Sequence, residues 1–396
     1  SQTIASSYEQ LLHVDTDGGG NTTTLVPVKD GDNGTTFCLQ LATTKAMIEG
    51  SGSKLFFHDE GGEYISGDGT DLTITSGNDI VLALGSAGSV YHTGDGGTSN
   101  TIYGKNAGDA LDSGGNYNVF IGEEAGGAMV TGTNNIAIGY GAFDAADAGE
   151  DDCIAIGLNA LGNLNHADAV RNIAIGNGAG DGMGTLGASD DNLFIGHDAG
   201  GGTWATALSQ ENIAIGNYAM DAACNGALRN VAIGMNALTD LTEGDDNIAI
   251  GKDAGKALTT GASCVAIGRD ALNAATSVGS CIAIGTNALN GSSSTSASNN
   301  IAIGESSQDS HSSNACEKNV TLGNATMTTT VNSALVGNVG IGHEALKICD
   351  DGDGNTALGY QAGDNIEDGS YDICIGYAAG VGEQHTTQSC ISIGKN

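Results

Sequence analysis

The sequence predicts an all-β repeat protein: a parallel β-solenoid over residues 101–396, preceded by a small β-rich attachment or base region at 1–100. Three observations carry this. A five-residue block, typified by Asn135-Ile136-Ala137-Ile138-Gly139, recurs as far as Cys390-Ile391-Ser392-Ile393-Gly394. Its glycines are Gly122, Gly139, Gly157, Gly176, Gly196, Gly216, Gly234, Gly251, Gly268, Gly285, Gly304, Gly323, Gly342, Gly359, Gly376 and Gly394, about sixteen repeats of 17–20 residues. The composition, finally, suits a long, thin core. Glycine supplies 65 residues, proline one and aromatics 4%, and much of the 39% hydrophobic fraction is alanine, which buries little area.

Taken in chain order, Ser6 to Leu12 reads as a short capped helix. Leu25 to Ile48 reads as strand-like runs such as Phe37 to Leu41, with a turn at Asp30-Gly31-Asp32-Asn33-Gly34. Ile102-Tyr103-Gly104 reads as a degenerate first repeat. Each clear block alternates a polar or small residue with Ile or Val, the period-two pattern of a strand. Two aliphatic side chains therefore share one face, and Asn and Ala the other. Glycine then permits a bend at positive φ. Three residues later comes a small residue, as at Ala142, Ala160 and Ala179, followed by Leu, Gly, Met or Phe. This reads as a second, shorter strand. A polar loop returns the chain to the next rung and absorbs the variation in length.

Rungs stacked about 4.8 Å apart align like side chains. Asn opens eleven of the sixteen blocks, among them Asn135, Asn172, Asn212, Asn230, Asn247 and Asn300. Stacking predicts a ladder whose amides are satisfied along the axis. Cys153, Cys264, Cys281, Cys390 and Asp372 open the others. Nine cysteines without a CxxC spacing leave at least one thiol free or paired between chains. Cys264 and Cys281 fall on adjacent rungs, at a separation compatible with a disulfide. A buried or interface thiol is the reading preferred, with a between-chain bond as the alternative. Two or three large aliphatic side chains per rung offset little of the ordering entropy. Further copies are therefore expected to pack against the small Ala and Gly face.

With 47 acidic residues against 12 basic and a net charge of −35, the chain has no basic cluster, which excludes nucleic acid as a partner. No run of 18 apolar residues occurs, so membrane insertion is not expected. Ser1 to Tyr8 lacks the basic start and apolar stretch of a secretory signal; either one was removed or export takes another route. Carboxylate pairs such as Asp151-Asp152 and Asp245-Asp246 follow from abundance alone. His166, His197 and His343 show no metal spacing, and Gly200 to Gly202 is a solenoid corner. No enzymatic activity and no cofactor are expected. Calcium is left open at Asp351 and Asp353, in an acidic loop, and at Asp68 and Asp71. Trp204 is the one ring suited to stacking on a sugar, although packing against its own scaffold is the commoner use.

The blocks Asn135 to Ala142 and Asn247 to Ala254 resemble the head repeats of trimeric autotransporter adhesins, which are trimers of left-handed parallel β-rolls. Asn355-Thr356-Ala357-Leu358-Gly359-Tyr360-Gln361-Ala362 is similar to repeats of phage tail fibres, and Gly62 to Ile74 resembles short β-segments of marine phage fibres and appendages. The resemblance covers roughly residues 100 to 396. It implies a homotrimer of left-handed rolls at the virion surface, outside the cell. It also implies a structural fibre (tail fibre, head fibre or appendage) joined to other virion structural proteins through its N-terminal region. Variable loops would contact a host-surface glycan or protein. A cell-surface adhesin or filament subunit is the alternative, and a polysaccharide-degrading tailspike comes third. An autotransporter's signal peptide, heptad stalk and barrel anchor are not found. The ending inside a block, at Ile393 to Asn396, suggests a removed segment or a docked protein.

Overall fold

A computed structural model describes residues 97–395, except 147–148, 167, 185–188, 205–207, 292–296, 310–315, 329–334 and 382–388, and the backbone of four strands between residues 13 and 48. The chain divides into two compact units, Ser1–Ser86 and Ala87–Asn396. The first holds an antiparallel sheet, β1 (His13–Val14), β2 (Val26–Lys29), β3 (Thr36–Ala42) and β4 (Lys45–Ile48), in that order. The strand expected at Phe37 to Leu41 lies within β3; the turn expected at 30–34 lies outside the described residues. The helix expected at Ser6 to Leu12, the segment Gly62 to Ile74, and Asp68 and Asp71 lie outside the described residues.

The second unit is a parallel β-solenoid. Seventeen three-residue strands run from β5 (Thr101–Tyr103) to β21 (Ile391–Ile393), so the degenerate first repeat is a full rung. Each pairs with its sequence neighbours alone, in register: Ile248 faces Val265, Ala249 faces Ala266 and Ile250 faces Ile267. The described sheet is thus an open stack, about 77 Å long at ~4.8 Å per strand. No α-helix occurs among the described residues.

The two faces of each strand separate as the alternation predicts, but their sense corrects the expectation. Ala137, Ala155, Ala174, Ala214 and Ala232 are fully buried, and the six ladder asparagines named above are at most 1% exposed. The flanking aliphatics look outward; Ile121, Ile175, Ile233 and Ile250 are each 37% exposed. The small face is the interior of the chain's own rod. It has to be small because the opposite wall supplies the bulk: Leu161, Leu238, Leu272 and Leu289 are all fully buried. Volume is conserved across the gap. Phe120 and Phe194 replace Ala at a strand centre, and Gly126 and Gly200 then replace Leu on the wall. A Cβ on Gly126 would lie 2.8 Å from the Phe120 ring, and one on Gly200 2.7 Å from that of Phe194. That interlocking is what close packing demands.

The second strand expected after Ala142 and its equivalents is not extended. Residues two and four past each bend carry positive φ, as at Asn159 (52°) and Leu161 (49°). Their N–H groups still bond between rungs, Asn159 to the Tyr140 carbonyl (3.0 Å) and Leu161 to that of Ala179 (2.9 Å). This wall bonds upward and downward in turn without β geometry. Holding leucine in a left-handed conformation costs ~1–2 kcal/mol, which its complete burial offsets by ~1.5–3 kcal/mol.

Candidate interaction face and the ladder behind it

The bend glycines show φ from 113° to 149°. Behind them runs the asparagine column. Asn247 donates its N–H to Asn230 Oδ1 (3.0 Å) and its Nδ2 to the Gly261 carbonyl (2.7 Å). Asn135 repeats the pattern, with its N–H on Asn118 Oδ1 (2.8 Å) and Nδ2 on Glu150 O (2.7 Å). One oxygen therefore binds the next rung, and one amide group binds the returning loop. The amides are satisfied partly along the axis and partly across it. Asn172, Asn212, Asn230 and Asn300 each hold a loop carbonyl in the same way, at 2.6 to 2.9 Å.

Where cysteine interrupts the column, sulfur takes the place of the amide oxygen. The backbone N–H of Asn172 points at Cys153, that of Cys281 at Cys264, and that of Asn300 at Cys281. Each thiol reaches a carbonyl, Cys264 Sγ that of Val278 (3.6 Å) and Cys281 Sγ that of Ala297 (3.2 Å), and the neighbouring Cys281 together with burial raises Cys264, which stays protonated. Cys153, Cys224, Cys264, Cys281, Cys316 and Cys349 are thiols, not halves of disulfides. Burial pushes Cys153, Cys224 and Cys349 up to about 12. Native alkylation by iodoacetamide at pH 8 is therefore expected to be at least ~100-fold slower at these three than in denaturant. Mass mapping of the labelled peptides checks this; equal rates would contradict the burial.

Other predicted sites resolve into packing. Asp353 Oδ1 accepts from the Val336 N–H (2.8 Å), while Asp351 is exposed. Among the described residues no three His, Cys, Asp or Glu side chains are grouped to hold a metal. His197 pairs with Asp198 (2.9 Å) and meets Tyr218 edge-on. His343, Tyr360 and Tyr377 stack at 5.2 and 5.3 Å, so their ring faces cover one another. Trp204, 3% exposed, lies edge-on to Phe194 at 5.1 Å, inside the core and away from any sugar.

One acidic group works against the fold. Burial and the Asp198 charge both raise Asp181 and Asp221 above the ordinary carboxylate range. A carboxyl raised on folding takes up protons more readily folded than unfolded, so its ionisation weakens the fold at neutral pH and the penalty fades on acidification. Asp198 also sits at φ 48°, where Asn is at ease. Asp198→Asn is expected to stabilise by ~0.5 kcal/mol at pH 7. The gain should vanish below about pH 4 or in molar salt. Thermal melts across pH check both parts.

The outward aliphatics form the candidate site. Val119, Ile136, Ile154, Ile173 and their equivalents make one column, and Ile121, Ile138, Ile156, Ile175 and theirs a second. Neighbours in a column half-cover one another, and the remainder faces solvent. Two columns about 77 Å long and about 10 Å wide present on the order of 800 Å² of apolar surface. The largest patch on a typical monomer is about 300–600 Å². Charged pairs follow one margin, where Arg171 meets Asp191 (2.6 Å) and Arg229 meets Asp246 (2.7 Å). An apolar centre with a polar rim is the anatomy of a protein interface. The alternation locates these residues in the sequence but not their outward aim, because the same pattern fits an interior filled by the larger side chains.

Comparison with family models, curated proteins and solved structures returned no match to this chain. Fold and site define it as a parallel β-solenoid repeat protein with an exposed aliphatic face.

Proposed function

We propose that this chain is the protomer of a non-enzymatic structural fibre whose copies associate through the aliphatic face. The observation that carries the reading is the double column of outward Ile, Val and Leu from β6 to β21, interrupted by Thr356 alone. Its area is of the size each partner contributes to a stable interface, ~800 Å². Identical rods share one rung spacing, so their ridges mesh along the full length. The number three and a left-handed winding rest on the resemblance to autotransporter heads and phage fibres. From the same resemblance we assign the assembled homotrimer to the virion surface. There the N-terminal region would join other virion proteins and the loops would meet host glycan or protein.

Sedimentation tests the assembly. The full chain is expected to run as a trimer, and Ile233→Lys with Ile250→Lys as a monomer of unchanged circular dichroism. A monomeric parent chain at micromolar concentration would overturn it. Mass spectrometry of purified virions tests the location, with stoichiometric recovery expected. Recovery from a cell envelope instead would favour the adhesin.

A further inference from the structure

Among the described residues, the buried apolar side chains of the solenoid fall into two clusters. One cluster of buried apolar side chains extends from Ala107 to Ala302, and a second from Cys316 to Ala379. Where the two meet, positions that hold Ala or Leu in other rungs carry polar groups. Ser307 stands at an Ala position and Gln308 at a Leu position; Thr321 stands at a strand centre and Thr326 at the next Ala position. All four are fully buried. The hydroxyls are satisfied. Ser307 Oγ donates to Thr321 Oγ1 (2.8 Å), Thr321 Oγ1 to the Ile301 carbonyl (3.2 Å), and Thr326 Oγ1 to that of Gly342 (2.9 Å). The Gln308 amide is not; neither its oxygen nor its nitrogen has a hydrogen-bond partner. Register places it in the wall column between Leu289 and Met327. One rung further on, glycine takes the strand centre at Gly340, where a Cβ would lie 2.8 Å from Thr326 Cγ2. The backbone nevertheless passes through unbroken. β16 (Ile301–Ile303) pairs with β17 (Val320–Leu322), and β17 with β18 (Val339–Ile341). Asn319 still donates its N–H to Asn300 Oδ1 (3.0 Å).

We infer that this polar layer divides the solenoid into two cooperative units, the shorter of which, C-terminal to it, opens on its own. A rung in a linear stack is coupled to its neighbours through backbone bonds and through side-chain packing. Here the second coupling is replaced by local hydroxyl bonds. The unpaired buried amide lowers the stability of the layer further, because it lost water without gaining a partner. Opening in such a stack begins at the weakest interface.

Native-state hydrogen exchange on the full chain, read strand by strand under rising guanidinium chloride, tests this. Amides of Val339–Ile341, Thr356–Leu358 and Ile373–Ile375 are expected to exchange as one group, at least ~10-fold faster than those of Ile213–Ile215 through Val265–Ile267. Ser307→Ala, Gln308→Leu and Thr321→Ala together restore the repeat pattern at three of the four positions and should merge the two groups. Gln308→Leu alone, a milder change in case the triple variant misfolds, should narrow the difference at least ~3-fold. Three results would overturn the inference: one common exchange rate throughout, a smooth gradient toward Ile393 in place of a step, or a C-terminal group that ignores Gln308→Leu.

Discussion

Gly251→Ala is expected to cost about 3–5 kcal/mol of stability. Two independent effects combine. Gly251 has φ 133°, a conformation that side-chain-bearing residues essentially do not adopt. Its missing Cβ would also stand 2.6 Å from the carbonyl oxygen of Gly268 and 2.7 Å from the carbonyl carbon. Both atoms are backbone of the next rung, which is held by its own ladder, so neither yields as a flexible side chain would. Gly337→Ala is the control. It too has positive φ (73°), yet nothing lies within 4 Å of its would-be Cβ, and its equivalent one rung earlier is Lys318 at 62°. That change should cost only the left-handed preference, ~1 kcal/mol. Denaturant melts of both variants decide; equal losses would show that crowding between the glycines contributes nothing.

Asn230→Ala is expected to cost about 2–5 kcal/mol, nearly all of it from groups left behind. In the native rod Asn230 Oδ1 accepts the Asn247 N–H (3.0 Å), and its Nδ2 donates to the Gly244 carbonyl (2.8 Å). Truncation leaves one donor and one acceptor buried without partners, at ~1–3 kcal/mol each. Cysteine should be milder than alanine, because Cys153 and Cys264 already hold this column with a sulfur facing the next N–H. Aspartate retains the acceptor, as Asp372 does toward the Cys390 N–H (2.6 Å), but places a charge in the core. Asn230→Asp should therefore be weakest at neutral pH and recover as acid protonates it, since a desolvated carboxyl has a raised pKa on folding. Chemical denaturation of the three variants at pH 7 and pH 4 separates the contributions.

Strand positions, register, bends and the asparagine column were all legible in the sequence, because a 17–20 residue period with a glycine stop repeats them about sixteen times. Two things were not. Ile-x-Ile reads the same whether the aliphatics point in or out, and the usual rule sends the larger side chains inward. The counter-signal was present: Asn and Ala share one parity, and only an interior with leucines entering from the far side makes both useful. Phe120 opposite Gly126 and Phe194 opposite Gly200 record the same constraint as compensating sizes, visible only once the wall is known. The wall itself reads as a strand. Its rung-to-rung bonds are sheet-like, but alternate residues at positive φ, such as Asn159 and Leu161, replace the extended backbone, and side-chain alternation does not encode that. The polar layer around Gln308 could be read as letters, yet its meaning depends on which positions are interior.

The uniform register has a consequence for how the length of such a rod is set. Val231–Ile233 relates to Ile213–Ile215 and to Ile248–Ile250 by the same one-for-one pairing. Excising one whole period between two such blocks therefore brings together ends that already match. The product differs by a single rise of ~4.8 Å, with every join, seam and loop class conserved. Duplication or loss of a coding segment then acts as a ruler graduated in rungs, letting reach be adjusted without redesign of any contact.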